Sequence, residues 1–225
     1  MTAAAAILRP APTVPEYSEG SCERPNDLYK VVDPVPISSH FSSPNKLINS
    51  PYTSPQHALD LTSLPDTARL FALALTTLAP IRADYATAPY LDSFNWNEVF
   101  RNLRNLITEA GLDWRDQEFY VVIFRSTLKE GADRDWLGKL DAESHREACQ
   151  SGGLLKYWFG ECDSSRRNLA TCVWRDREDA RAGGQGPWHA RARSSAGELY
   201  EQINFFTHRF FVGNGAERWW LQELS

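Results

Sequence analysis

The sequence predicts an α+β fold: an antiparallel sheet with helices on one face, preceded by a proline-rich N-terminal arm. Three observations carry this reading. Leu169, Thr171 and Val173 alternate with Ala170, Cys172 and Trp174 as strand residues do, and Asp176, Glu178 and Asp179 then suit the start of a helix. Phe119 to Ser126 is a β-branched and aromatic run of strand length. Strand-like and helix-like runs are mixed along the chain, the pattern expected when helices pack on one sheet and leave its other face to water, a partner or a ligand.

Composition bounds the protein's class. The 225 residues are 42% hydrophobic and include eight tryptophans, enough for one well-buried domain with extensions. A net charge of −5 with interspersed signs offers no basic stripe, which argues against nucleic acid as a partner. Cys22, Cys149, Cys162 and Cys172 lie far apart without a CxxC pair, so a reducing compartment fits. Ala3 to Leu8 is too short and lacks the basic start of a signal sequence, and no apolar run approaches the ~18 residues of a membrane span. A cytoplasmic protein with access to the nucleus is expected, with no membrane partner.

The elements follow in chain order. Nine of the thirteen prolines fall in the first 55 residues, so residues 1–60 read as an arm. The reading makes it disordered to about Glu23 and extended over the surface at Leu28–Val35 and Phe41–Tyr52, either as a loose extension or as a lid. The domain proper is expected over residues 61–225. Arg69–Leu78 is read as a buried strand ended by Ala79-Pro80, although its Leu and Ala content also suits a helix. Asp84–Tyr90 reads as a loop. Asn95 caps a helix with Val99, Phe100, Leu103, Leu106 and Ile107 on one face, closed by Gly111. After the Phe119–Ser126 strand comes a helix from about Asp133 to Cys149, with Trp136, Leu137 and Leu140 inward and Gly152-Gly153 at its end. Leu155–Cys162 and Leu169–Trp174 form an antiparallel hairpin across the turn Asp163–Arg167. Beyond the short helix after Asp176, Pro187 opens another carrying Trp188, Ala192, Ala196 and Leu199, and Ile203–Val212 is the last strand.

On the segments WRDREDARAGGQGPWH (Trp174–His189) and Tyr200 with the closing strand, the chain resembles the ferredoxin-like, dimeric α+β barrel superfamily of antibiotic-biosynthesis-monooxygenase-like proteins. On RADYATAPYLDSFNW (Arg82–Trp96), SGGLLKYWFG (Ser151–Gly160) and NLATCVWRDREDA (Asn168–Ala180) it resembles an uncharacterised family of fungal proteins. The superfamily resemblance implies a homodimer paired through open sheet faces, with a small-molecule pocket between sheet and helices in each copy. It implies no single activity, since its members include cofactor-free oxygenases, isomerases, lyases and haem proteins.

Candidate site residues follow from strand alternation. Phe119, Val121, Ile123 and Arg125 share one side of their strand, as do Tyr157, Phe159 and Glu161 of theirs. Arg125 and Glu161 are therefore expected to share an aromatic pocket, the arginine holding an anionic oxygen and the carboxylate moving a proton; a salt bridge at a strand end is the plainer alternative. His208, between Phe206 and Phe210, is a second candidate for proton transfer, or else a core histidine. Tyr157, Trp158 and Trp174 would shape the pocket, with Tyr85 in its polar loop and His189 at a helix start as further binding residues. No metal is expected, because His145 with Glu143 and Glu147 lacks a second histidine at i+4. Cys172 reads as packing.

The functional expectation is a small-molecule-binding protein, an enzyme of proton-transfer, oxygenase or lyase type acting on a small organic substrate without a tightly bound cofactor. A haem version would take His208 as axial ligand. A non-catalytic ligand-binding or dimeric scaffold protein is the alternative. A third reading is an acetyltransferase whose Arg181–Gly186 loop, RAGGQG, cradles acetyl-CoA as in GNAT-type enzymes.

Overall fold

The computed structural model describes residues 40–224, so the expected disorder to Glu23 and the Leu28–Val35 segment lie outside the described residues. Three short strands open the chain, β1 (Phe41–Ser43), β2 (Lys46–Ile48) and β3 (Ala58–Asp60), in a small antiparallel sheet of that order. Leu47 and Leu59 are fully buried in the main core, so the stretch read as surface arm up to residue 60 contributes packing as well as length.

Arg69–Leu78 is helical, which corrects the strand reading. Helix α1 (Asp66–Ala74) runs into a single 3₁₀ turn at Leu75–Thr77 and stops ahead of Pro80. Leu70 and Ala74 are buried, and so are Ala68, Phe71, Ala72 and Leu75. The i, i+3, i+4, i+7 spacing of the last four is the stripe of an amphipathic helix, and Leu and Ala have the propensity to match. Helix α2 (Trp96–Ala110) buries Trp96, Val99, Phe100, Leu103 and Ile107, and Gly111 ends it at φ +62°. Asn95 precedes the helix without capping it by side chain. Its Oδ1 instead accepts from the Ala79 N–H at 2.8 Å and its Nδ2 donates to the Thr77 carbonyl at 2.9 Å, tying the two helices together.

The rest is β4 (Gln117–Leu128), α3 (Arg134–Ser151), β5 (Leu154–Phe159), β6 (Arg167–Trp174), α4 (Arg177–Gly183), α5 (Pro187–Leu199), β7 (Tyr200–Val212) and β8 (Trp219–Glu223). Asp133 and Asp176 cap α3 and α4 by accepting from the N–H groups of Trp136 and Asp179. The main sheet is antiparallel throughout, in the order β5-β6-β4-β7-β8. Without β8, the units β4-α3-β5 and β6-α4/α5-β7 interleave as the split βαβ of a ferredoxin-like fold. The sequence reading stopped at Val212 and missed β8, whose WWLQE is too short to show a period.

Both faces of this sheet are covered. The ferredoxin-type helices lie on one, where Ala148 of α3 packs with Leu154, Tyr157 and Trp174. The other face, expected to be open, carries Phe119, Val121, Ile123, Leu169, Val173, Phe210 and Val212, all buried in one cluster with α1 and α2. Phe71 meets Phe119 at 4.5 Å between ring centroids, and Trp96 meets Phe210 edge-on at 5.0 Å. The N-terminal helices thus occupy in the same chain the surface through which two copies were expected to pair. Apolar stripes on α1 and α2 need a surface to bury them, and the alternate apolar side of β4, β6 and β7 is that surface.

Candidate functional site

The residues singled out from sequence fall into separate environments. Arg125 does not face a ligand cavity beside Glu161. Its guanidinium donates to the carbonyls of Tyr85 (3.3 Å), Ala86 (2.5 Å) and Ala88 (2.6 Å), pinning the 84–90 loop onto the sheet. The Tyr85 hydroxyl bonds the backbone N–H and carbonyl of Glu161, both at 2.8 Å, and its ring meets Trp158 edge-on at 5.3 Å. Tyr85, Trp158, Arg125 and the Glu161 backbone therefore do come together, as a loop anchor; the Glu161 side chain is exposed. Arg125→Met should cost about 2 kcal/mol in urea unfolding, because three carbonyls lose a charged donor. Hydrogen exchange in residues 84–90 should accelerate with it.

His208 stands opposite Glu223 of β8 and Val121 of β4. Burial lowers its pKa while Glu223 acts the other way, and its Nδ1 is buried without a hydrogen-bond partner. Trp174 is buried beneath α4, where a Cβ on Gly183 would sit 2.3 Å from its ring. His189 bonds Glu147 through Nδ1 at 3.0 Å. Glu147 also accepts from the N–H groups of Trp188 (2.7 Å) and His189 (3.1 Å). These helix-start amides, just beyond the Arg181–Gly186 loop, are held by a carboxylate of α3. A Cβ on Gly186 would lie 2.2 Å from that carboxylate, so the glycine there admits the close approach of Glu147.

Tyr157 alone among the expected residues lies in a concentrated acid–base cluster. Its hydroxyl donates to Asp141 Oδ1 of α3 at 2.5 Å, and the Tyr52 hydroxyl donates to Oδ2 at 2.5 Å. Register places Tyr157 opposite Cys172, on the face that α3 covers. Burial raises the Asp141 pKa, while the two tyrosines, His189 and His57 pull it down. Burial and the neighbouring Asp141 push both tyrosines well above their ordinary range. All three groups therefore favour their neutral forms.

Two histidines stand beside them. His57 Nδ1 and His145 Nδ1 are 2.8 Å apart, which requires one ring to donate and the other to accept. Burial lowers both pKa values, that of His145 to about 3, so the pair is neutral. The Tyr52 ring stacks on His57 at 4.6 Å and leans on His145 at 5.2 Å and Phe159 at 6.1 Å. Cys149 donates to the His57 carbonyl at 3.3 Å and touches the His145 ring at 3.7 Å, but burial pushes its thiol up to about 12. It is a packed thiol and not a nucleophile at neutral pH. Among the described residues, no three His, Cys, Asp or Glu side chains converge as a metal site needs.

Sequence reasoning missed Tyr52, His57, Asp141 and His145. Asp141 and His145 do carry a signal, four residues apart on one side of a helix whose other side is charged. Tyr52 and His57 lie in the proline-rich stretch and carry none.

Residues 48–223 match the sequence profile of a family described as PB2B2.08-like. The chain is 33% identical over 213 residues to UPF0643 protein PB2B2.08 of Schizosaccharomyces pombe (strain 972 / ATCC 24843), covering 90% of each chain. Among solved structures it is similar to Rv0793 from Mycobacterium tuberculosis, with 19% identity over 40% of this chain and 91% of that one and a TM-score of 0.36. It is also similar to SnoaB, a cofactor-independent oxygenase from Streptomyces nogalater, with 14% identity over 40% and 91% of the two chains and a TM-score of 0.32.

Proposed function

The chain belongs to the PB2B2.08-like family, and on that premise we propose that it binds a small organic molecule at the Tyr52–Asp141–Tyr157 cluster and moves a proton to or from it. The observation that carries this reading is the convergence of two hydroxyls on one buried carboxyl group, with a neutral imidazole pair alongside. A carboxyl pKa raised by burial makes Asp141 easier to protonate than an exposed carboxylate, which suits a group that exchanges a proton. Protonated, Asp141 turns donor toward the Tyr52 oxygen, and the Tyr52 O–H is then free to give its hydrogen outward. Ionised, Asp141 accepts from both tyrosines. The pair of states is a relay from the carboxyl group to Tyr52, whose partly exposed ring is the part of the cluster nearest water. The aromatic rings of Tyr52, His57 and Phe159 beside the carboxyl group favour a planar substrate such as a phenol or enol.

The test is thermal stabilisation by a panel of small phenols and carboxylic acids. The wild type should gain several degrees with at least one compound, and Asp141→Asn and Tyr157→Phe should lose that gain while remaining folded. Equal shifts in the variants, or no shift with any compound, would overturn the reading.

A non-catalytic ligand-binding or scaffold protein is the second reading, favoured by Arg125 being bound to backbone carbonyls and by the filled second sheet face. Under it, the cluster fastens residues 52–57 to α3. Homodimer formation, if retained, uses a surface other than that face. Among the described residues no helix is long and apolar enough to cross a membrane.

A further inference from the structure

Lys156 lies in β5 next to Tyr157 but points to the opposite face. Its register partner is Val173, where β5 bulges between Leu154 and Lys156, and Val173 belongs to the cluster beneath α1 and α2. The residue is only 7% exposed, yet among the described residues its amine has neither a hydrogen bond nor an ion pair. Lysine is almost never buried without a partner, because an ammonium ion removed from water loses far more solvation than packing returns. Burial accordingly lowers its pKa to about 8. The residue as a whole is almost covered, and the bulge at Lys156 sets its stem against the layer beneath α1.

The surroundings hold two further polar groups. His40 lies close enough for the Lys156 charge to lower its pKa, second to burial. Asn49, fully buried, donates through Nδ2 to the Leu154 carbonyl at 2.6 Å, while its backbone carbonyl accepts from the Tyr157 N–H at 3.0 Å. Its Oδ1 is buried without a partner. The edge of β5 thus carries an amine without a partner among the described residues beside a backbone-anchored Asn49 whose amide oxygen is unpaired, with the His40 imidazole near enough to feel the amine's charge.

We propose that Lys156 is a nucleophilic amine that forms a Schiff base with a small aldehyde or 2-oxo acid entering beside Asn49 and His40. The free amine lone pair adds to the carbonyl carbon, giving a carbinolamine; the C–O bond then breaks, water leaves, and a C=N bond remains. In this proposal His40 takes the nitrogen proton and returns it to the departing hydroxyl. The Asn49 Oδ1 acceptor is available to a hydroxyl of the ligand. Desolvated lysines with depressed basicity are the ones that do this chemistry near neutral pH. This site is separate from the Asp141 cluster, on the other side of the sheet, and neither depends on the other.

The test treats the full-length protein with glyoxylate and sodium cyanoborohydride, which reduces any imine to a stable carboxymethyl amine, and maps the modified lysine by peptide mass spectrometry. Modification should concentrate on Lys156, rise with pH around 8, and outpace the exposed Lys129 and Lys139 by at least about tenfold at pH 7. Lys156→Arg should abolish the major adduct without increasing the others. Labelling spread evenly over exposed lysines, or absent from Lys156, would overturn the proposal. Because the decisive reading is made on the wild type, poor folding of the variant does not affect it. Loss of the phenol response in Asp141→Asn would leave the Lys156 adduct unchanged, which keeps the two sites distinguishable.

Discussion

Phe210→Ala should lower the unfolding free energy by about 3–5 kcal/mol, among the largest losses of any single truncation in the sheet. Phe210 is fully buried at the centre of an aromatic group, with Trp96 at 5.0 Å, Phe100 at 5.7 Å, Phe71 at 6.1 Å and Trp219 at 6.2 Å between centroids. The first three come from α1 and α2 and the fourth from β8, so this ring joins the N-terminal helices to the sheet. Removing it leaves a cavity that four large rings cannot close by small shifts. Phe210→Leu, which keeps most of the apolar volume, should cost less than about 2 kcal/mol. Urea unfolding at constant m-value measures both. If the sheet face were open, as the sequence alone suggests, the alanine variant would behave as a surface substitution and cost under about 0.5 kcal/mol.

That contrast marks what the residues could and could not reveal. The strands β4, β6 and β7, the helices α2, α3 and α5, and the cap Asp176 were legible because each rests on local spacing. The α1 helix departs from the strand expectation because only Arg69, Thr76 and Thr77 interrupt the apolar run Arg69–Leu78, too few to mark a period, and Pro80 ends a strand as readily as a helix. The covering of the second face was invisible for a different reason. The apolar side chains of β4 and β7 on that face call for a cover, but do not say whether it comes from the same chain, a second copy or a ligand. Phe41 to Asp60 misled through its prolines: composition marks a stretch as irregular, and Leu47, Asn49 and Leu59 are buried despite it. The site suffered most. Tyr52 and His57 meet Asp141 and His145 across 88 or 89 residues of chain, a juxtaposition that only the packing of that irregular stretch against α3 creates.

Acid should destabilise the protein through His145, and the sign follows from the direction of its shift. Unfolded, the imidazole titrates near 6.5; folded, it does so at about 3, because burial and the facing His57 oppose its charge. The unfolded state therefore binds the proton first as pH falls. Stability from this group is complete above about 6.5, declines through the interval below it, and is gone by about 3, a change on the order of 5 kcal/mol for one group. His57 shifts in the same direction and adds to the slope. Asp141 acts oppositely: its folded pKa lies above its ordinary value of 3.8, so its contribution is full below that value and is lost as pH rises through the folded one. Where the two intervals overlap the wild-type profile is a difference, and substitution separates the parts. His145→Gln should flatten the fall in stability between pH 6 and 4, whereas Asp141→Asn should steepen it. Equilibrium unfolding at half-unit pH intervals resolves both slopes, and identical slopes in wild type and His145→Gln would mean that the imidazole takes its proton inside the folded protein, ruling out a neutral pair at the heart of the cluster.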